Sequence, residues 1–506
     1  MSPSVTGTPR FDPKRRRAVT AALVLVTALA SLESTVVSTA MPTIIGDLGG
    51  LPLYSWVFSI YLLTSTVMMP VYGRLADIYG RRRILLVAIA VFLAGAVTCG
   101  FSRSMPQLIA ARALQGLGAA GLVPVALTVA GDLYSLEQRA RIQGLFSSVW
   151  GFASLVGPLI GAWMTITFGW RSIFTINVPL GIIAFALVGT QMIESRARLP
   201  DPLDLAGAAS LAAGVTALLF ALLHRAGEGG MSLPFRVVLV VAAAGSLGIF
   251  ARLQMRREHP LIPPRLLRHG RTAAPYVSGA LLGTAIYGVD TFVPLFVQGA
   301  RGGTAGAAGA VITPLVFFWA TSATVAARLI VRFGFRRTAR WGAFLMLAGL
   351  TGLVAAAYLN ASVPWISAAC AVVGAGLGPS SMSQILAIQN VVEERERGVA
   401  TSLVPFFRTI GGSLGVGALG GLLAAGLARR LGGAAETASR LLASGGEPAR
   451  SVPVDPALFR LAIERSLLPV FGILVVLAAV NVLVTEGFPE SAAGDTASRD
   501  LSLSAD

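Results

Sequence analysis

Two cysteines in 506 residues, Cys99 and Cys370, exclude a disulfide framework, and both stand in or beside apolar runs. The three histidines, His224, His259 and His269, sit in loops or at helix ends without ligand spacing, so no metal site follows from them. Charge is scarce: 13% of residues are Asp, Glu, Lys or Arg, against about 25% in an ordinary soluble domain. Lysine is nearly missing, with Lys14 the single one. What remains is 55% hydrophobic, with a mean hydropathy of +0.74. That excludes a soluble enzyme. The 57 glycines suit close helix packing in lipid. The formal net charge of +16 does not indicate nucleic acid, because Arg and Lys cluster in short loops at alternate ends of apolar runs.

A membrane-spanning helix needs about 20 mostly apolar residues. Such segments fall near 18–41, 54–72, 84–101, 107–131, 142–164, 172–192, 203–224, 234–252, 273–298, 305–327, 339–358, 364–389, 399–427 and 466–486. The first follows Lys14-Arg15-Arg16-Arg17 but is too long for a signal peptide and is read as a retained helix. The sequence therefore predicts an all-α membrane protein of about 14 transmembrane helices. With both termini in the cytoplasm, inner segments hold 27 of the 40 Arg and Lys and outer segments 11, six of these in the loop 428–465.

Between the second and third spans stands Gly73-Arg74-Leu75-Ala76-Asp77-Ile78-Tyr79-Gly80-Arg81-Arg82-Arg83. Its pattern, G-x-L-x-D-x-x-G-R-R-x, resembles the signature loop of the major facilitator superfamily. The resemblance implies secondary transport. It also implies a conformational lock made by Gly73, Asp77, Gly80 and Arg81, in which the Asp meets the N-terminus of a helix from the second half. A carboxylate is favourable at that place. An eroded copy recurs 254 residues later at 327–337, with Ala327 and Val331 replacing the Gly and Asp. Arg139-x-Arg141 recurs as Arg395-x-Arg397, and Gly157 and Gly161 as Gly411 and Gly415. Two pseudo-symmetric six-helix bundles are therefore expected, with two extra helices inserted between them. The expected organisation is a cytoplasmic tail 1–17, a first bundle 18–192, an inserted pair 203–252 and a second bundle 273–486 carrying the outer loop 428–465. A disordered cytoplasmic tail, 487–506, closes it.

Ionisable groups inside spans mark function by default. Glu33 lies in Leu32-Glu33-Ser34-Thr35-Val36-Val37-Ser38-Thr39-Ala40-Met41-Pro42, which resembles the first-helix motif of the 14-helix drug:proton antiporter branch, usually written with Asp. A carboxyl taken out of water holds a proton more readily, as a proton-coupled exporter requires. Asp290 follows Glu33 by 257 residues and is the candidate counterpart in the second half, for a proton or a cationic substrate. Arg112 opens Arg112-Ala113-Leu114-Gln115-Gly116-Leu117-Gly118, which resembles the family's R-x-x-Q-G-x-G, whose Arg is tied to proton relay. Each also has a structural reading, as an ion pair between helices. Gly116 to Gly121 also satisfies G-x-G-x-x-G, but inside an apolar helix that pattern is no nucleotide site.

The fifth span carries Gly144, then Gly157-Pro158-Leu159-Ile160-Gly161. This resembles the family's antiporter motif, G-(x)8-G-(x)3-G-P-x-x-G-G, with Ala153 and Ala162 at two glycine positions. Trp170-Arg171-Ser172-Ile173-Phe174-Thr175-Ile176-Asn177-Val178-Pro179 also resembles the 14-helix branch. The implied function is proton-coupled export of amphipathic or lipophilic, often cationic, compounds by rocking of the two halves. It needs no cofactor beyond the proton gradient. The expected partners are such small molecules, protons and the lipid bilayer, with no nucleic acid, and the expected state is a monomer in the plasma (inner) membrane. Tyr61, Tyr287, Trp319, Gln384, Gln389, Phe407 and Arg408 are candidate substrate-cavity residues. Two alternatives stand beside this: a lipid or lipid-precursor exporter of the same fold, and a transporter-like receptor or scaffold that does not transport.

Overall fold

A computed structural model describes residues 12–48, 53–193, 204–223, 233–258, 260–303, 305–431 and 456–490. Every regular element within them is helical. In chain order these are α1 (Pro13–Leu48), α2 (Tyr54–Tyr79), α3 (Arg81–Gly100), α4 (Met105–Leu133) and α5 (Leu136–Phe168). The one-turn α6 (Ser172–Thr175) leads into α7 (Asn177–Gln191), followed by α8 (Leu205–Leu223) and α9 (Leu233–Arg256). After the one-turn α10 (Arg265–Arg268) come α11 (Gly270–Leu295), α12 (Ala305–Tyr358), α13 (Val363–Val391), α14 (Arg397–Leu431) and α15 (Pro456–Val484).

Apolar composition makes these helices and glycine divides them. A straight α12 of 54 residues would run about 80 Å, far beyond a bilayer. Gly334, at φ 82° and ψ 174°, breaks it into two arms. Gly80 breaks α2 from α3 in the same way, at φ 98° and ψ 147°. Side chains hardly adopt that backbone region, so glycine is required at both turns. The two glycines are 254 residues apart, and the repeat continues into packing. A Cβ on Gly116 would lie 2.6 Å from the Tyr61 carbonyl oxygen, and one on Gly374 would lie 2.1 Å from that of Leu315. A Cβ on Gly118 would lie 2.2 Å from the Phe92 nitrogen, and one on Gly376 would lie 2.5 Å from that of Met346. Tyr61 and Phe92 map onto Leu315 and Met346 at an offset of 254, whereas the α4 glycines map onto α13 at 258. The second arm of α12 is one turn longer than α3, which accounts for the difference.

One apolar core gathers α1 to α5, α7 and α8 together with the ends of α13 and α14 at Ile385, Ile388, Val399 and Leu403. A second is built from α11 to α15, including Val289, Met346, Val373 and Phe471. The α8–α9 pair is tied to the segment that follows it. Buried Asp204 accepts from Gln254 Nε2 at 2.8 Å, and Gln254 Oε1 accepts from the Ile262 amide at 3.0 Å. On α9, Phe235, Val237, Val238, Val241 and Ile249 are each at least half exposed among the described residues. Apolar exposure of that extent marks a lipid-facing surface. Among the described residues, ten helices are long and apolar enough to cross a membrane, and α5, bent by 50°, makes an eleventh. The chain is a multi-pass membrane protein.

Three boundaries differ from expectation. Helix α1 starts at Pro13, inside the expected tail 1–17, because its basic residues continue the first span as helix. The ends of the expected loop 428–465 are helical up to Leu431 and again from Pro456; its middle, 432–455, lies outside the described residues. The expected disorder from 487 is corrected at its start. Phe488 is fully buried, and its carbonyl accepts from Arg336 Nε at 2.9 Å. Arg336 also pairs with Glu490, and Arg340 with Glu486, which pins this segment to the Gly334 turn. Residues 1–11 and 491–506 of the two expected tails lie outside the described residues.

Candidate functional site

Glu33 and Arg112 meet inside the first half. Each lies within an apolar helix, where a lone charge is costly, and both are closed off from solvent. Arg112 Nη1 donates to Glu33 Oε1 and, at 2.8 Å, to Gln115 Oε1 one turn along α4. Its Nε donates to the Val57 carbonyl at 3.2 Å. The guanidinium lies over the Tyr61 ring, 4.2 Å from its centroid. Asn177 Nδ2, from α7, donates to the second carboxylate oxygen of Glu33 at 2.8 Å. The carboxylate is thus held from α4 and α7, and the guanidinium from α2 and α4. Among the described residues the buried Gln115 Nε2 and Asn177 Oδ1 have no hydrogen-bond partner, so the cluster has polar capacity to spare. Gln115 and Asn177 stood in recognisable sequence motifs without an assigned role. The signals for them were the i, i+3 spacing from Arg112 and an amide in an apolar helix.

A second polar cluster lies at the hairpin. Asp77 Oδ1 accepts from the Gly398 amide at 3.0 Å and Oδ2 from the Val399 amide at 2.9 Å. These are orphan donors at the N-terminus of α14, where a carboxylate is stabilised by both the hydrogen bonds and the helix dipole. Arg81 holds Asp77 at 2.7 Å and Asp132 at 3.0 Å, and donates to the Glu394 carbonyl at 3.2 Å. Arg397, at the start of α14, reaches Asp132 at 2.5 Å. Gly73 lets α2 and α14 touch: a Cβ there would lie 2.3 Å from Ser402 Oγ and 2.7 Å from the Gly398 carbonyl oxygen. Asp132 joins the hairpin to α14 and was missed from the sequence. It is an acid at the end of a long apolar helix, beside a basic hairpin.

Asp290, in α11, is different. Its side chain is exposed, and among the described residues no hydrogen bond or ion pair holds it. At the offset of 258 that aligns α13 with α4, Cys370 stands where Arg112 stands in the first half. At that place α13 therefore carries no guanidinium. The buried Nε of Arg408 has no hydrogen-bond partner among the described residues.

The remaining candidates each have protein partners of their own. Tyr61 caps Arg112. Gln384 donates to Ser278 Oγ at 3.1 Å, and Trp319 to Ser381 Oγ at 3.2 Å. Phe407 stacks on Tyr276, with 5.4 Å between ring centroids. Gln389 donates to the Leu127 carbonyl at 3.0 Å, so it fastens α13 to α4 near the hairpin rather than facing a cavity. In α5, Gly144 lies against α12, where a Cβ would be 3.3 Å from Thr324 Oγ1. The bend of α5 separates Arg141–Ser154 from Leu159–Phe168. Gly157 and Pro158 fall in that break, and Gly161 lies just beyond it.

A family model described as the Major Facilitator Superfamily matches residues 23–416. The chain belongs to the Major Facilitator Superfamily. The multidrug transporter protein MdtP of Bacillus subtilis (strain 168) is 33% identical over 413 residues, covering 81% of this chain and 75% of that one. Multidrug resistance protein 3 of the same organism is 31% identical over 395 residues, covering 78% and 77%. Among solved structures, the proton:xylose symporter XylE matches with a TM-score of 0.63 at 14% identity, covering 95% of this chain and 97% of that one. At that identity the likeness to XylE concerns the superfamily fold alone.

Proposed function

We propose that this superfamily member is a proton-coupled exporter of lipophilic, often cationic, small molecules. In this reading fourteen spans form two six-helix halves, 18–192 and 273–486, with α8 and α9 between them. The basic hairpin end is cytoplasmic, and the membrane is the inner (plasma) membrane. The observation that carries the proposal is the buried Glu33–Arg112 pair, a carboxylate whose charge is balanced by one guanidinium from a different helix. A proton on Glu33 cancels that attraction and frees Arg112 to shift. The change couples one protonation to a movement of α1 against α4. The names of the two Bacillus relatives, a multidrug transporter and a multidrug resistance protein, support a small-molecule substrate.

The Asp77 cap on α14 holds the hairpin end shut, so this state opens to the outside. A proton enters from there, loads Glu33, and biases the halves toward the cytoplasm-open state, in which substrate replaces it. The exposed carboxylate of Asp290, with no ion-pair partner among the described residues, supplies a negative charge to a positively charged substrate. No cofactor takes part. Each charge that crosses the membrane field is worth about 2.3 kcal/mol per 100 mV.

Proteoliposomes with an imposed pH gradient test this. The protein is expected to move ethidium against its concentration gradient and to stop when a protonophore collapses the proton gradient. Uphill movement that survives the protonophore contradicts proton coupling.

A further inference from the structure

The seam between α5 and α12 opens at the hairpin end into a cavity of about 550 Å3, lined by Arg141, Thr324, Ala327, Arg328 and Val331. Thr324 closes it on one side, since the same residue meets Gly144 across the seam. A Cβ on Gly151 would lie 2.8 Å from Ala320 Cβ, so the two helices stay in contact beyond it. The cavity is therefore a wedge, closed toward the middle of the helices and open toward their hairpin ends. Arg141 comes from the first half of the chain and Arg328 from the second, and both side chains are exposed.

We infer that this wedge binds the phosphate headgroup of an anionic phospholipid from the cytoplasmic leaflet. Two guanidinium groups in one small cavity form a phosphate-binding pair, because each presents a planar fork of donors to the phosphate oxygens. Basic pockets between spanning helices on the cytoplasmic side suit anionic headgroups. The flanking surface favours a lipid over a free phosphate. Leu145 stands one turn from Arg141 on α5, and Val325 one turn from Arg328 on α12. Both are exposed apolar residues, at 42% and 52%. In each helix, residues three or four apart share a face, so an apolar track for an acyl chain leads away from each arginine. A headgroup held by both arginines bridges the two halves in the conformation that forms the wedge. The leaflet assigned to the site rests on the orientation proposed above; the binding itself does not depend on transport.

Native mass spectrometry of the full-length protein, delipidated and titrated with phosphatidylglycerol, tests this. The wild type is expected to retain phosphatidylglycerol in preference to phosphatidylcholine, and Arg141→Gln/Arg328→Gln is expected to lower the retained fraction about tenfold. Arg328→Gln alone, at an exposed side chain, is expected to lower it in part and keeps the test available if the double variant unfolds. Inorganic phosphate is expected not to displace the lipid. Equal retention by wild type and variants, or equal retention of phosphatidylcholine, overturns the site. Full displacement by inorganic phosphate overturns the lipid assignment. Because no transport is measured, failure here is distinct from failure of the exporter reading.

Discussion

Arg112 on α4 and Glu33 on α1 form an ion pair with both side chains sealed from solvent. Removing one partner of such a pair leaves a bare charge in an apolar interior. Removing both leaves none. In the proposed cycle the same contact serves as a structural tie and as the proton-sensitive one, and the two roles separate by experiment.

The structural role predicts non-additive stability. Arg112→Gln should destabilise the protein by about 3–5 kcal/mol. Glu33→Gln in the same chain should recover most of that loss. Thermal unfolding in detergent checks it; equal losses in the single and double variants would show that Arg112 acts through packing on Tyr61 and not through charge.

Asp77 predicts a conformational bias. Its two hydrogen bonds to the α14 amides are made by a charged acceptor, worth about 1.5–3 kcal/mol each. Asp77→Ala should shift the population toward the cytoplasm-open state by more than about tenfold. Gly73→Ala should shift it the same way by forcing α2 from α14, with the carboxylate intact. Spin-label distances between the hairpin ends of α2 and α14 report both, and unchanged distances would remove this contact as the lock.

Gly80 and Gly334 predict matched local costs. An alanine at either turn should destabilise by about 1–3 kcal/mol, because both backbones lie in a region nearly confined to glycine. Unfolding midpoints of Gly80→Ala and Gly334→Ala check it, and no loss at either would mean that the turns relax freely.

Asp290 predicts charge selectivity. Asp290→Asn should weaken transport of a cationic dye while leaving an uncharged lipophilic substrate nearly unaffected. Equal effects on the two substrates would assign Asp290 to structure or to the proton.

The hairpin was legible from sequence because G-x-L-x-D-x-x-G-R-R packs its constraints into ten adjacent residues. Its partner amides at Gly398 and Val399 lie more than three hundred residues away. The family resemblance pointed to a second-half helix, but only packing identified these residues. Glu33 and Arg112 were each visible as charges in apolar runs. Their pairing was not, because it depends on how α1 and α4 are rotated about their axes. Gln389 looked like a cavity amide for the same reason: periodicity along one helix does not say which neighbour it faces. The equivalence of Cys370 with Arg112 was hidden by the extra turn in the second arm of α12, which moves the repeat offset from 254 to 258 between neighbouring helices.

In the proposed cycle Glu33 carries the coupling proton. In proteoliposomes, Glu33→Gln should retain substrate counterflow, which needs alternating access but no net proton movement. It should lose uphill efflux driven by an imposed pH gradient. Uphill efflux at the wild-type rate in Glu33→Gln would contradict the account.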